Sequence, residues 1–293
     1  MAKEKTYWTR LANANTPEEV DGIIAEGNGG MGGAKRLEML DEFRGLAVIF
    51  MLVFHSVYLL NSFFGLGAGG AYAAMLKIQP AFAGLFILIA GMAARYSRDP
   101  VKRAGFILAL ALGLSLVTIV VLPGMGFTGM NIAFGILHLL SVSMLIFALG
   151  QRFFDKIPSL LGAPLMLFLF CFTAMTAQGK FGLFGLWPVN LPAALYETNA
   201  LFFLGFHKPD FLSWDYFPLL PWFFLYMFGV YLGALTLDKD SKEGKLPDFV
   251  YRRRFIVISW IGRHALAVYL LHLPALYALF YLVFDLGGRM FGE

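Results

Sequence analysis

The sequence predicts an all-α fold: a polytopic transmembrane helix bundle of about seven spans, with one further re-entrant or interfacial segment. Three observations predict it. Hydrophobic residues fill 59% of the 293 positions and charged residues only 14%, against about 25% charged in a soluble domain. Long apolar runs recur near 44–64, 74–94, 104–122, 132–150, 159–178, 217–236 and 263–285, each close to the ~20 residues that span ~30 Å of hydrocarbon. The charges gather between these runs rather than within them. A soluble chain this apolar could not cover its own surface with polar groups, whereas lipid tails solvate an apolar exterior.

Taken in order, residues 1–35 read as a polar cytoplasmic tail, and 36–293 as the membrane domain. Within the tail, Thr16-Pro17-Glu18-Glu19 is a helix start, with a Thr cap, Pro at the first helical position and Glu three residues after the cap. The glycine-rich run 27–33 is a flexible linker. The first apolar run follows Arg44, so the first membrane helix is expected to act as its own insertion signal.

Orientation follows from the basic residues. With the N-terminus inside and the C-terminus outside, every Lys and Arg except Lys77, Lys180, Lys208 and Arg289 falls on the cytoplasmic side, the asymmetry of a positive-inside membrane protein. The same clustering makes the net charge of +4 a membrane-loop property and gives no reason to expect nucleic-acid binding. The stretch 179–216 falls outside. It is greasy through Phe181, Leu183, Phe184, Leu186 and Trp187, yet the charge pattern needs an even number of crossings between Lys156 and Asp238. It is therefore read as a re-entrant or interfacial element. No internal repeat is visible, which weakens a two-halved transporter architecture.

Ionisable groups inside spans are expensive and point to function by default. His55 lies eleven residues past Arg44, about 16 Å deep at 1.5 Å per residue. His272 lies at a similar depth from Arg263, and His138 near the external end of its helix. Each can equally be a neutral imidazole bonding a neighbouring helix. Nothing has the spacing of a metal motif, and the single cysteine, Cys171, permits no disulfide or Cys-based site; no metal is expected. Asp41 and Arg44, three apart, are placed to pair on one helix face. Arg95, Arg98, Lys102 and Arg103 form either ordinary cytoplasmic charge or a clamp for a polyphosphate, since guanidinium forks suit phosphate geometry. Asp215 precedes Pro218 and Pro221, which predict an irregular helix entry. There its carboxylate can orient a polar substrate or a histidine, or simply sit in an aromatic belt.

Several of these blocks resemble a known family. Arg36-Leu37-Glu38-Met39-Leu40-Asp41-Glu42-Phe43-Arg44-Gly45-Leu46-Ala47 followed by His55 is similar to the opening of membrane acyltransferases. Gly84–Gly91, Phe134-Gly135-Ile136-Leu137-His138, Asp215–Trp222 and Gly262–Pro274 follow in family order. Together they resemble the prokaryotic relatives of the heparan-alpha-glucosaminide N-acetyltransferase catalytic domain, over about residues 36–275. The usual serines before Gly91 and after His264 are Ala90 and Ala265 here.

The resemblance implies an enzyme of a prokaryotic cytoplasmic membrane, surrounded by lipid. It would move an acyl group, acetyl by expectation, from cytoplasmic acyl-CoA to an external sugar or glycan, by O- or N-transfer. It carries the essential histidine onto His55 and an Arg-x-x-Arg pair onto Arg95 and Arg98. The CoA phosphates are then expected on Arg95, Arg98, Lys102 and Arg103. His55 is expected as general base or acyl carrier, and His272 and His138 as groups that orient the acceptor or stabilise the oxyanion. A transporter or flippase of a small polar or lipid-linked solute, and a non-enzymatic membrane subunit, are the competing readings; homo-oligomerisation is left open.

Overall fold

The computed structural model describes residues 37–97, 99–126, 131–183, 186–236 and 246–286. The tail expected over 1–35 and Arg98 lie outside the described residues. The chain divides into two units, and the larger, Leu37–Leu235 with Asp248–Glu293, holds every helix described here. In chain order these are α1 (Glu38–Ser62), α2 (Gly69–Ala94), α3 (Pro100–Leu116, carried on through a π-helical stretch to Gly124), α4 (Ile136–Phe154), α5 (Ser159–Thr173), α6 (Leu219–Leu235), α7 (Ile256–Arg263) and α8 (Ala265–Phe280). Six of them, α1 to α5 and α8, are long and apolar enough to cross a membrane, and α6 is a shorter apolar helix. The protein is an integral membrane helix bundle.

Local chemistry explains the ends. Glu38 and Asp41 occupy the first turn of α1, where carboxylates favour the positive end of the helix dipole. Pro100 opens α3 right after Asp99, as suits a residue with no N–H to lose. The entry to α6 is irregular as the two prolines predict, with Leu220 at φ −93°, ψ 124°.

Glycine sets the helix crossings. A Cβ on Gly91 would lie 2.0 Å from the Tyr226 carbonyl oxygen, and one on Gly229 would lie 2.2 Å from that of Leu88. So α2 and α6 touch backbone to backbone, as small residues permit in membranes. Around this contact Tyr226, Met227, Val230 and Tyr231 of α6 are fully buried. Apolar side chains on α3, α5 and α8, such as Phe106, Leu160 and Leu271, face outward, where a bilayer would cover them.

The second close crossing joins the two ends of the membrane domain. A Cβ on Gly262 would meet the Asp41 carbonyl oxygen at 1.8 Å, and one on Gly45 that of Ile258 at 2.0 Å. The polar groups around it interlock. Glu38 takes Arg263 at 2.5 Å, Arg253 at 3.2 Å and the Ser259 hydroxyl at 2.9 Å. Glu42 accepts the backbone N–H groups of Arg254 and Phe255 and so caps α7 from another helix. Asp41 pairs with Arg44 at 2.9 Å, as their spacing predicts. α7 itself was not expected: the sequence reads as loop up to Arg263, and the last span begins at Ala265 rather than 263.

The segment 179–216 forms no helix of spanning length among the described residues. It folds as an antiparallel hairpin, β1 (Lys180–Leu183) with β2 (Leu186–Asn190), followed by two short 3-10 turns. The loop before α6 is stitched to the loop before α4. Trp214 N–H donates to Asn131 O at 2.8 Å, Ala133 N–H to the Ser213 hydroxyl at 3.0 Å, and Phe217 N–H to Phe134 O at 3.2 Å. This stitching fixes Asp215.

Candidate active site

α1 and α8 bring two of the three membrane histidines together. The rings of His55 and His272 lie edge to face with centroids 4.7 Å apart. His55 Nδ1 is 2.9 Å from the Met51 carbonyl oxygen, one turn back on α1. A carbonyl only accepts, so Nδ1 carries the hydrogen and neutral His55 keeps its Nε2 lone pair. His272 repeats the pattern on α8, with Nδ1 donating to the Tyr269 carbonyl oxygen. Its Nε2 is buried and bonds to no described residue.

His55 lines a cavity of about 60 Å³, and His272 lies behind it, outside the lining. The polar lining of the cavity is His55, Gln79, Asp215 and Tyr269, set among the aromatic rings of Phe50, Phe54, Phe82, Phe86 and Phe217. Asp215 stands on left-handed backbone at φ 53°, a conformation that Asp tolerates better than most residues. Its Oδ2 accepts the Ile136 N–H at 3.0 Å and the Tyr269 hydroxyl, so the carboxylate sits at the N-terminus of α4, where the dipole favours it. A Cβ on Gly135 would fall 2.6 Å from that oxygen, which explains a glycine there. Burial pushes the Asp215 carboxyl up to about 6, with the bonds from Tyr269 and the Ile136 N–H pulling the other way. Sequence reading did not single out Tyr269 or Gln79. Tyr269 stands three residues before His272, on the same helix face, and that spacing is the signal that points to it.

His138 is placed differently from the expectation that grouped it with the other two. Its Nδ1 accepts the Gly135 N–H at 3.2 Å, inside the first turn of its own helix. Its Nε2 is 3.2 Å from the Ser115 hydroxyl, which itself donates to Ile132 O at 2.6 Å. Ser115 has one hydrogen, so it accepts from Nε2–H. Both ring nitrogens are taken, and the ring is not among the cavity-lining residues. It caps α4 and leaves no N–H for an oxyanion. Neutral His272 is limited in a related way, because its one N–H already goes to Tyr269.

The basic residues separate likewise. Arg95, expected on phosphate, is mostly buried: Nη1 bonds Asp155 at 2.5 Å, Nε bonds Val230 O at 3.3 Å, and the guanidinium lies 5.0 Å from the Phe147 ring centroid. It ties the ends of α2, α4 and α6 together. Lys102 and Arg103 are exposed on the first turn of α3, with Lys102 only 3.5 Å from an equally exposed Asp99. No group of three His, Cys, Asp or Glu among the described residues is placed to hold a metal ion.

The membrane bundle thus sets two imidazoles in contact and a buried carboxylate around one small cavity. Residues 36–274 match the family described as heparan-alpha-glucosaminide N-acetyltransferase, catalytic. The chain belongs to that family and is a membrane acetyltransferase. Among curated proteins and among solved structures nothing matches it.

Proposed function

We propose that the chain takes an acetyl group from acetyl-CoA at the end of the bundle that carries Arg95, Lys102 and Arg263. It would pass the group to an amine or hydroxyl of a sugar or glycan reaching the cavity from the opposite end. The basic end would face the cytoplasm of a prokaryote, as the distribution of Lys and Arg favours. The observation that carries the reading is His55, with its Nε2 lone pair kept by the bond to Met51, on the wall of a cavity it shares with Asp215 and Tyr269.

The steps follow from those groups. Lys102 and Arg103, exposed on the first turn of α3, would receive the CoA phosphates, together with Arg98. His55 Nε2 would take the proton from the acceptor as its nitrogen or oxygen attacks the acetyl carbonyl, the work of a general base near neutral pH. Asp215, held rigid by Ile136 and Tyr269, would orient the acceptor. The aromatic walls keep water from the thioester, which limits wasteful hydrolysis.

The test is transfer by the purified chain in detergent. Incubation with acetyl-CoA and glucosamine should give free thiol and acetylated sugar in equal amounts, and His55→Gln should lose both while keeping its melting temperature. An active, folded His55→Gln would remove the base, and acetyl-CoA left untouched with every amino sugar and hydroxylated glycan offered would remove the reaction.

A further inference from the structure

Two similar ring arrangements face one another across α1 and α8, and one base does not need the second. Each imidazole gives its Nδ1–H to a carbonyl of its own helix, Met51 for His55 and Tyr269 for His272. Each is thereby held in one tautomer, with Nε2 as its unprotonated nitrogen. At 4.7 Å between centroids the rings are in contact. His272 is only 5% exposed, and its Nε2 bonds to no described residue. A structural histidine satisfies both nitrogens, as His138 does, because a buried polar atom without a partner is destabilising. The neighbouring titratable groups are Asp215 and Tyr269 beside the cavity, and Tyr58 and Tyr72, which pack with each other beside Phe54; among the described residues no Lys or Arg lines the cavity. A proton arriving at His55 therefore has one nearby nitrogen base to move to.

We propose that His55 and His272 hold the reaction's proton as a pair, with His272 the second station between the acceptor and the departing thiolate. The inference rests on the acetyltransferase reading above. The acceptor's nitrogen or oxygen bonds to the acetyl carbon, and the carbon–sulfur bond of acetyl-CoA breaks with its electron pair going to sulfur. The proton lost by the acceptor lands on His55 Nε2, passes to His272 Nε2 behind it, and returns through His55, which lines the cavity, to the CoA sulfur. Nothing is oxidised or reduced. His272 is a positioning and relay residue in this scheme: it acts through His55, which is then returned neutral for the next turnover. The same arrangement gives the otherwise unbonded Nε2 of His272 a use.

Two measurements on the full chain test it. With acetyl-CoA and glucosamine, His272→Asn should lower kcat by roughly 10²-fold, the range of a lost proton-transfer group, with KM for acetyl-CoA unchanged. Added imidazole should restore part of the rate by carrying the proton. A His272→Asn enzyme with wild-type kcat, or with loss confined to KM, overturns the relay. The second measurement needs no turnover. In ¹⁵N-histidine protein, the titration midpoint of the His55 ring should move in His272→Asn and stay put in His138→Asn. An unmoved His55 midpoint also overturns the pair. A coupled pair in a chain that consumes no acetyl-CoA would instead retain the pairing and discard the acetyltransferase reading.

Discussion

His138 and His55 are both imidazoles on apolar helices, equally costly to bury, and from the sequence only the family resemblance sets His55 apart. The structure separates them by their hydrogen bonds. His138 receives a backbone N–H at Nδ1 and gives Nε2–H to Ser115, so its ring is a strut between α4 and α3. His55 gives up one nitrogen to Met51 and keeps the other for the cavity wall. Depth in the membrane makes both expensive, and only the count of unbonded ring nitrogens tells which one is available to react.

The sharpest way to break this contrast is to remove each ring in turn. His55→Gln is expected to lower transfer by 10² to 10⁴-fold, the range for a general base, with melting in detergent unchanged. His138→Ala should do the reverse. Loss of a helix cap costs about 0.5–2 kcal/mol, so its Tm should fall by a few degrees while turnover per folded molecule stays within a few-fold. Equal activity losses in the two would erase the distinction.

Asp215 sharpens the comparison because it belongs to both regions: it caps α4 as His138 does and lines the cavity as His55 does. Asp215→Asn keeps an oxygen for Ile136 and Tyr269 but removes the charge. The carboxyl is raised to about 6 by burial, so the charged form is the disfavoured one in the folded protein. The stability it contributes is present below its unfolded value near 3.9 and is lost as pH rises through about 6. The Asn protein should therefore melt higher than wild type at pH 8 and show little difference at pH 4.5. Its activity should fall roughly 10-fold if the charge orients the acceptor. A lower Tm at pH 8 would show that the carboxylate acts as a cap alone.

How much of this was legible beforehand follows the same physics. All seven apolar runs became helices, because a span must satisfy its backbone internally and be apolar on the side that meets lipid. The Asp41–Arg44 pair was readable because helical spacing makes it local. α7 was hidden, since eight residues behind an Arg run look like more loop, and its cap is Glu42, more than 200 residues away in the chain. Tyr269 was hidden because a tyrosine within an apolar run resembles packing. The hairpin over 180–190 was hidden because its strands are short and its apolar residues match an interfacial segment equally well.

The smallest expected effect tests whether the division among histidines extends to arginines. Arg95 and Arg103 read alike as basic residues after α2, yet Arg95 is committed to Asp155, Val230 and Phe147 while Arg103 is exposed. Arg103→Ala should raise KM for acetyl-CoA only a few-fold, because one solvent-screened ion pair with a phosphate contributes at most about 1 kcal/mol, and Tm should not move. High salt should raise wild-type KM and shrink the difference. Arg95→Ala should lower Tm, since it removes a mostly buried guanidinium that joins α2 to Val230 of α6 and to Phe147 and Asp155 at α4. If Arg95→Ala instead raised KM at constant Tm, the buried guanidinium would be reaching the phosphates after all, and the rule that a fully bonded side chain is a structural one would fail in this molecule.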